Sequence, residues 1–153
     1  MDATEIYVLC RNRSKAIADV FLEAFGKSRT QVAVDYPYPE FADEPQITFD
    51  NPSALLEQLE ADPTSSYSVY WDCHATDEPR QVMLFFTSEG RMIVGVGGPR
   101  GSIEDELQKI SSLVRGEFAY VTSGSCPPDS SKEFAEIAIA SSLPSVVEGR
   151  FRR

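Results

Sequence analysis

Residues 67–96 read YSVYWDCHATDEPRQVMLFFTSEGRMIVGV, and this stretch decides the fold. Three runs within it, residues 67–73, 82–87 and 92–96, are rich in the β-branched, aromatic and apolar residues that favour strands. The last two runs are separated only by the sequence SEGR, which is typical of a hairpin turn. The stretch therefore predicts an antiparallel meander of three strands.

Helical patterns and further strands lie on both sides of this meander. Residues 6–10 form an apolar run suited to a buried strand, and Asn12 or Ser14 can then cap a helix that ends at Gly26. Further predicted elements are a strand at residues 47–49, a helix opening at Asn51-Pro52, a helix from residue 103, a strand at residues 118–122, and a helix opening at the capping box Ser130-x-x-Glu133. Because the order of elements is mixed, we predict one α+β domain over residues 1–153, with about four helices on a largely antiparallel sheet and a frayed carboxyl end.

Charge is distributed unevenly along the chain. The 153 residues include 24 acidic and 14 basic side chains, which gives a net charge of −10. Residues 30–79 contain eleven carboxylates and no Lys or Arg, whereas the remainder of the chain has a net charge of +1. This distribution argues against nucleic acid or an anionic membrane as the partner and favours a basic protein.

The most unusual part of this acidic segment is residues 35–45, DYPYPEFADEP. Its prolines keep the backbone extended and out of the centre of a sheet, so its aromatic side chains lie either on the surface or tucked beneath it. Aromatic side chains ringed by carboxylates form a binding hot spot for a basic partner. An equally good interpretation is a connector whose aromatic rings cover the edge of the core.

Two further features extend the predicted surface. Glu57 and Glu60 are three residues apart and share a helix face. Asp62 follows at the end of this helix, where a carboxylate interacts unfavourably with the helix dipole. A basic ligand would explain this arrangement. On the strand at residues 67–72, a period of two directs Trp71 into the core and Tyr70 with Asp72 outward. The predicted partner-binding residues are Asp35, Tyr36, Tyr38, Glu40, Phe41, Asp43, Glu44, Glu57, Glu60, Tyr70 and Asp72.

The sequence contains no convincing catalytic or metal-binding constellation. Cys10, Arg13 and Ser14 resemble the opening of the low-molecular-weight tyrosine phosphatases, but two residues between Cys10 and Arg13 are too few to form the phosphate cradle. The single histidine, His74, follows Cys73 on a strand, and adjacent strand side chains point to opposite faces. We therefore expect no enzyme activity, no metal and no cofactor.

A small acidic α+β chain with acidic-aromatic loops and no catalytic set resembles the immunity proteins of bacterial polymorphic toxin systems. The resemblance implies a stoichiometric inhibitor of a basic toxin or effector domain. It implies that the aromatic rings of residues 36–41 fill the toxin's cleft and that the carboxylates around them pair with its Lys or Arg. Three cysteines at unrelated spacings and an acidic amino terminus without an apolar leader predict a cytoplasmic protein.

Two other functions fit the sequence. A small-molecule enzyme or ligand-binding domain would use a cavity beside the glycine-rich loop at residues 95–101, with Arg100 anchoring an anion. The acidic residues 104–106 argue against phosphate at this loop, because they already occupy the positive end of the helix that follows. An adaptor or homodimer without a toxin partner is the other alternative.

Overall fold

The computed structural model describes residues 4–153, which form ten strands and four helices. The strands are β1 (Thr4–Cys10), β2 (Thr30–Gln31), β3 (Tyr36–Tyr38), β4 (Ile47–Phe49), β5 (Tyr67–Asp72), β6 (Gln81–Phe86), β7 (Met92–Gly97), β8 (Gly116–Ser123), β9 (Ser145–Val147) and β10 (Arg150–Arg152). The helices are α1 (Lys15–Phe25), α2 (Pro52–Ala61), α3 (Ile103–Val114) and α4 (Ser131–Ala140). The predicted α+β class is confirmed.

Eight of the strands form one sheet in the order β10-β9-β8-β1-β7-β6-β5-β2, and every neighbouring pair is antiparallel. The predicted meander is present as β5, β6 and β7. Strand β1 lies in the middle of the sheet between β7 and β8. The first strand of the chain is therefore a central strand of the antiparallel sheet.

One face of the sheet, called here the first face, carries the main core. Helices α1, α2 and α3 supply the buried residues Ala18, Phe21, Leu22, Leu55, Leu56, Leu59, Leu107, Ile110 and Val114. Trp71 is buried on this face, as period two predicts. Cys10 is fully buried here as well, and burial raises the pKa of its thiol to about 12, so the thiol is protonated at neutral pH.

The opposite or second face is covered over only part of its area. Helix α4 packs Phe134 and Ala138 there, against Leu9 and Tyr120 among others. The sheet register aligns one row of side chains across five strands, in the order Tyr70, Met83, Gly95, Tyr7 and Tyr120. The part of this face that α4 leaves uncovered becomes a groove.

Helix starts follow the predicted capping pattern. Ser14, Asn51 and Ser130 each precede a helix, and each side chain accepts a hydrogen bond from the backbone N–H three residues later. Within residues 4–153, no helix combines the length and the apolar character that crossing a membrane requires.

Two short hairpins lie at the proline-rich segment and at the carboxyl end. Tyr36–Tyr38, for which the sequence predicts an extended backbone outside a sheet centre, pairs with the predicted strand β4 in a separate two-stranded sheet. The prolines are tolerated because this ribbon has no central strand, so a missing N–H interrupts no continuous ladder. At the carboxyl end, where fraying is predicted, Arg150–Arg152 pairs with β9.

Candidate functional site

Strands β3 and β4 are joined by residues 39–46, called here the hairpin tip. Backbone hydrogen bonds from Ala42 N–H to the Pro39 carbonyl and from Gln46 N–H to the Tyr38 carbonyl define its path. Phe41 lies in this tip with a φ of 65° and a side chain that is 90% exposed. A bulky residue in the left-handed region is strained, so the tip holds an exposed aromatic ring in an unfavourable backbone conformation.

Asp43 and Glu44 are exposed beside Phe41 in the same tip. Three further apolar side chains of the acidic segment are also exposed: Val32, Val34, which is 92% exposed, and Ile47 on β4. Asp35 is exposed next to Val34. Of the predicted acidic-aromatic surface, Phe41, Asp35, Asp43 and Glu44 thus remain available to a partner.

The side chains of Tyr36 and Tyr38 on β3 are buried in the main core, with 3% and 4% exposure. The Tyr38 ring stacks on Tyr67, with the ring centroids 6.4 Å apart, and its hydroxyl donates to the Asp62 carboxylate. This placement corrects their predicted role, because neither ring can fill a partner's cleft. Of the two interpretations left open by the sequence, the connector that covers the core applies to these residues.

Two of the three carboxylates predicted to meet a basic ligand at the end of α2, Glu60 and Asp62, form hydrogen bonds within the fold instead. Glu60 Oε2 accepts a hydrogen bond from the backbone N–H of Lys15, 2.7 Å away, at the start of α1. Asp62 accepts hydrogen bonds from Tyr38, Ser65 and Thr64, which lower the pKa of its carboxyl to about 2. Glu57 is exposed on the same helix.

Glu78 and Glu40 are likewise engaged within the fold. Glu78 is buried, and its carboxylate accepts hydrogen bonds from the backbone N–H of Lys27 and from both the N–H and the hydroxyl of Ser28. Burial raises the pKa of the Glu78 carboxyl, but these hydrogen bonds outweigh it and the net shift is downward. Burial raises the pKa of Glu40 to about 7, although Ser68 N–H donates to its carboxylate.

The acidic segment does not form one continuous patch. Asp72 lies at the end of β5 on the second face of the sheet. Asp77 lies in a shallow depression with Glu106 and Lys109 of α3. The charge therefore divides among several places, of which the hairpin tip is the one that combines carboxylates with an exposed aromatic ring.

The uncovered part of the second face forms a groove with a volume of about 640 Å³. Tyr70 and Asp72, which the sequence predicts to face the same way, both line it. The other lining residues include Glu5, Tyr7, Arg80, Gln81, Met83, Phe85, Gly97, Gly98, Arg100 and Cys126. Sequence reasoning placed Arg100 near such a cavity but missed Tyr7, Met83 and Arg80. The alternating side chains of β6 together with the glycines of β7 are the signal that could have found them.

A smaller cavity of about 320 Å³ adjoins the groove, since Phe85 lines both. Glu40, Phe41, Ser68 and Asp129 are among the residues around it. The structure thus brings four predicted residues, Glu40, Phe41, Tyr70 and Asp72, to two adjoining cavities.

Residues with catalytic potential are dispersed or engaged. Cys10 is buried, the Arg13 guanidinium donates to backbone carbonyls, and His74 Nε2 lies 2.9 Å from the Thr30 hydroxyl. Cys126 is exposed at the groove. Across the described residues, no group of three or more His, Cys, Asp or Glu side chains is arranged to hold a metal ion.

Comparison with known proteins gives no relative. The sequence matches no family model, and no curated protein or solved structure gives a significant match.

Proposed function

We propose that this chain is a non-catalytic binding protein of the immunity type, which acts in the cytoplasm and neutralises a basic toxin or effector domain. The observation that carries the proposal is Phe41, whose ring is 90% exposed on a strained backbone in an ordered turn. Neither the exposure nor the strain helps the chain to fold. Burial of the ring against a partner contributes roughly 1.5–3 kcal/mol to the free energy of binding. Binding to a partner therefore accounts for an exposed ring that does not stabilise the fold.

The charge around the tip supports a basic partner. Asp43 and Glu44 are exposed in the tip beside Phe41, and residues 30–79 contain no Lys or Arg. Ile47 adds apolar surface next to the tip, whereas the exposed residues Val34 and Asp35 lie at the other end of β3. Carboxylates beside an exposed aromatic ring accelerate association with a basic protein and make the association rate sensitive to salt.

The proposal is tested by isolating the partner from the native host and measuring its affinity for tip variants. Phe41→Ser and the double variant Asp43→Lys/Glu44→Lys should each weaken binding by about tenfold or more, and the double variant should also slow association at low salt. The matched control is Glu136→Lys/Glu148→Lys, which makes the same charge change at two exposed glutamates outside the acidic segment. Equal losses for the tip and control variants, or capture of no basic protein, would reject the tip as the binding surface.

A further inference from the structure

The floor of the groove includes Gly97, where the chain carries no side chain. Strand β7 runs between β1 and β6 and places Gly95 and Gly97 on the second face. At Gly95 a Cβ atom would lie 2.8 Å from the Tyr7 ring, so neighbouring side chains already fill the space. At Gly97 a Cβ atom would make ordinary van der Waals contact, with Gln81 Cβ and Met83 Cε each 3.7 Å away, so the floor there is less crowded than at Gly95.

Charged residues of both signs line the groove near Gly97. The register aligns Asp72, Gln81, Gly97 and Glu5 across four strands. Glu5 is engaged, because its Oε1 accepts a hydrogen bond from Gly124 N–H at 2.7 Å. Asp72 is exposed, and its carboxylate has no hydrogen bond or ion pair with any residue in the described part of the chain.

Two arginines also line the groove. The side chain of Arg80 lies over Gly98, where a Cβ atom would be 2.9 Å from Arg80 Cδ. Arg100 donates through Nε to the Glu78 carbonyl at 2.9 Å, which leaves its two terminal nitrogens for a ligand. Arg80 and Arg100 both line the groove.

The remaining wall is aromatic. Tyr70 and Phe85 meet edge to face with ring centroids 5.8 Å apart, and both line the groove beside Met83. The Tyr7 hydroxyl donates to the Ser125 carbonyl at 2.8 Å, so its polar end is satisfied and its ring adds to the apolar surface. Aromatic and thioether surface of this kind binds apolar or aromatic groups.

We propose that the groove binds a short zwitterionic peptide that carries an aromatic side chain. Arg80 and Arg100 hold its carboxylate, Asp72 holds its ammonium group, and Tyr70 with Phe85 contacts the aromatic side chain. A ligand with only a negative charge would be repelled by Asp72, and one with only a positive charge would be repelled by the arginines. The groove volume of about 640 Å³ is that of a site for a ligand larger than one amino acid. This site is separate from the hairpin tip and does not depend on the function proposed for the tip.

The probe for this proposal is the dipeptide phenylalanyl-phenylalanine, compared with its N-acetyl derivative and its carboxyl-terminal amide. Calorimetry should give the tightest binding for the zwitterion and about tenfold weaker binding for each derivative, because each lacks one charge-assisted contact. Chemical shift changes on titration should centre on the backbone amides of Gly97 and Gly98. Equal affinity for all three compounds, or no binding, would overturn the proposal.

Variants assign each charge to its partner in the groove. Asp72→Asn should weaken the zwitterion about tenfold and should not weaken the N-acetyl derivative, because that compound has no ammonium group and its carboxylate is no longer repelled by Asp72. Arg80→Ala should weaken the zwitterion and spare the amide in the same way. Glu136→Gln and Lys132→Ala serve as matched surface controls and should change no affinity. If Asp72→Asn weakens the zwitterion and its N-acetyl derivative by the same factor, the assignment of the ammonium group is wrong.

Discussion

Glu40 lies in the hairpin tip and lines the smaller cavity, and burial makes its carboxyl sensitive to pH. Burial raises the pKa of its carboxyl to about 7, above the ordinary value of 4.5 that it regains on unfolding. Between these two values the folded chain binds more protons than the unfolded chain. The contribution of Glu40 to stability is therefore largest at low pH and falls as the pH rises from about 4.5 to about 7.

Replacing Glu40 with Gln should remove this dependence. The amide stays neutral and still offers an oxygen to Ser68 N–H. The free energy of unfolding of Glu40→Gln, relative to that of the parent chain, should therefore increase by about 1 kcal/mol as the pH rises from 5 to 8. Urea unfolding of both chains across this pH range measures the difference in their free energies of unfolding. The contributions of the other titrating groups are the same in both chains and cancel in this difference. A constant difference would show that Glu40 does not titrate in this interval.

Among the secondary-structure elements, the end of helix α2 is linked to the sheet by hydrogen bonds from Arg13. Its Nε donates to the Leu59 carbonyl at 2.6 Å, its Nη2 donates to Ser65, and its Nη1 donates to the Thr87 carbonyl at 2.8 Å. The guanidinium also lies over the Phe86 ring, 5.0 Å from the centroid. One planar group thus joins a helix end, a loop and the end of β6.

Arg13→Lys should destabilise the fold by about 2 kcal/mol. A lysine ammonium cannot reach three carbonyls set around a planar fork, so buried acceptors lose their donors. Chemical unfolding measures the loss. The matched control is Arg11→Lys, whose exposed ion pair with Glu117 should contribute less than about 1 kcal/mol. Comparable losses in the two variants would contradict the fastening role.

Some of these elements are readable from sequence because their signals are local. The meander follows from alternating residues and a short turn, and the caps at Ser14, Asn51 and Ser130 follow from side-chain chemistry. The same period of two places Tyr70 and Asp72 together at the groove. The sequence does not reveal that β1 lies between β7 and β8, because register between distant strands depends on packing throughout the chain.

The candidate site is less predictable than the fold for a related reason. Nothing local distinguishes the buried ring of Tyr38 from the exposed ring of Phe41 three residues later. Tyr38 can be buried because its hydroxyl donates to Asp62 and lies 2.7 Å from the Ser65 hydroxyl, and both residues are more than twenty positions away in the chain. A carboxylate counted as surface charge in the sequence is thus part of the core's hydrogen bonding in the structure.

At the scale of the whole molecule, the sheet has two edges of different character. Strand β2 ends one side with only Thr30–Gln31, which is too short to recruit another strand. The other edge is β10, where Arg150 and Arg152 are exposed and Phe151 packs toward the main core. Positive charges on an edge strand repel the same edge of a second copy, so these arginines protect the sheet from edge-to-edge pairing.

Removing the two charges should therefore promote self-association. Arg150→Gln/Arg152→Gln leaves the edge N–H and C=O groups available and removes the repulsion, so the variant should dimerise about tenfold more tightly than the parent chain in sedimentation equilibrium. Arg115→Gln/Lys132→Gln makes the same change in net charge at exposed positions outside β10 and should leave association unchanged. Comparison of the two double variants separates an effect of the β10 edge from a general effect of net charge. Equal association of both variants would mean that net charge governs self-association, rather than the position of the arginines on β10.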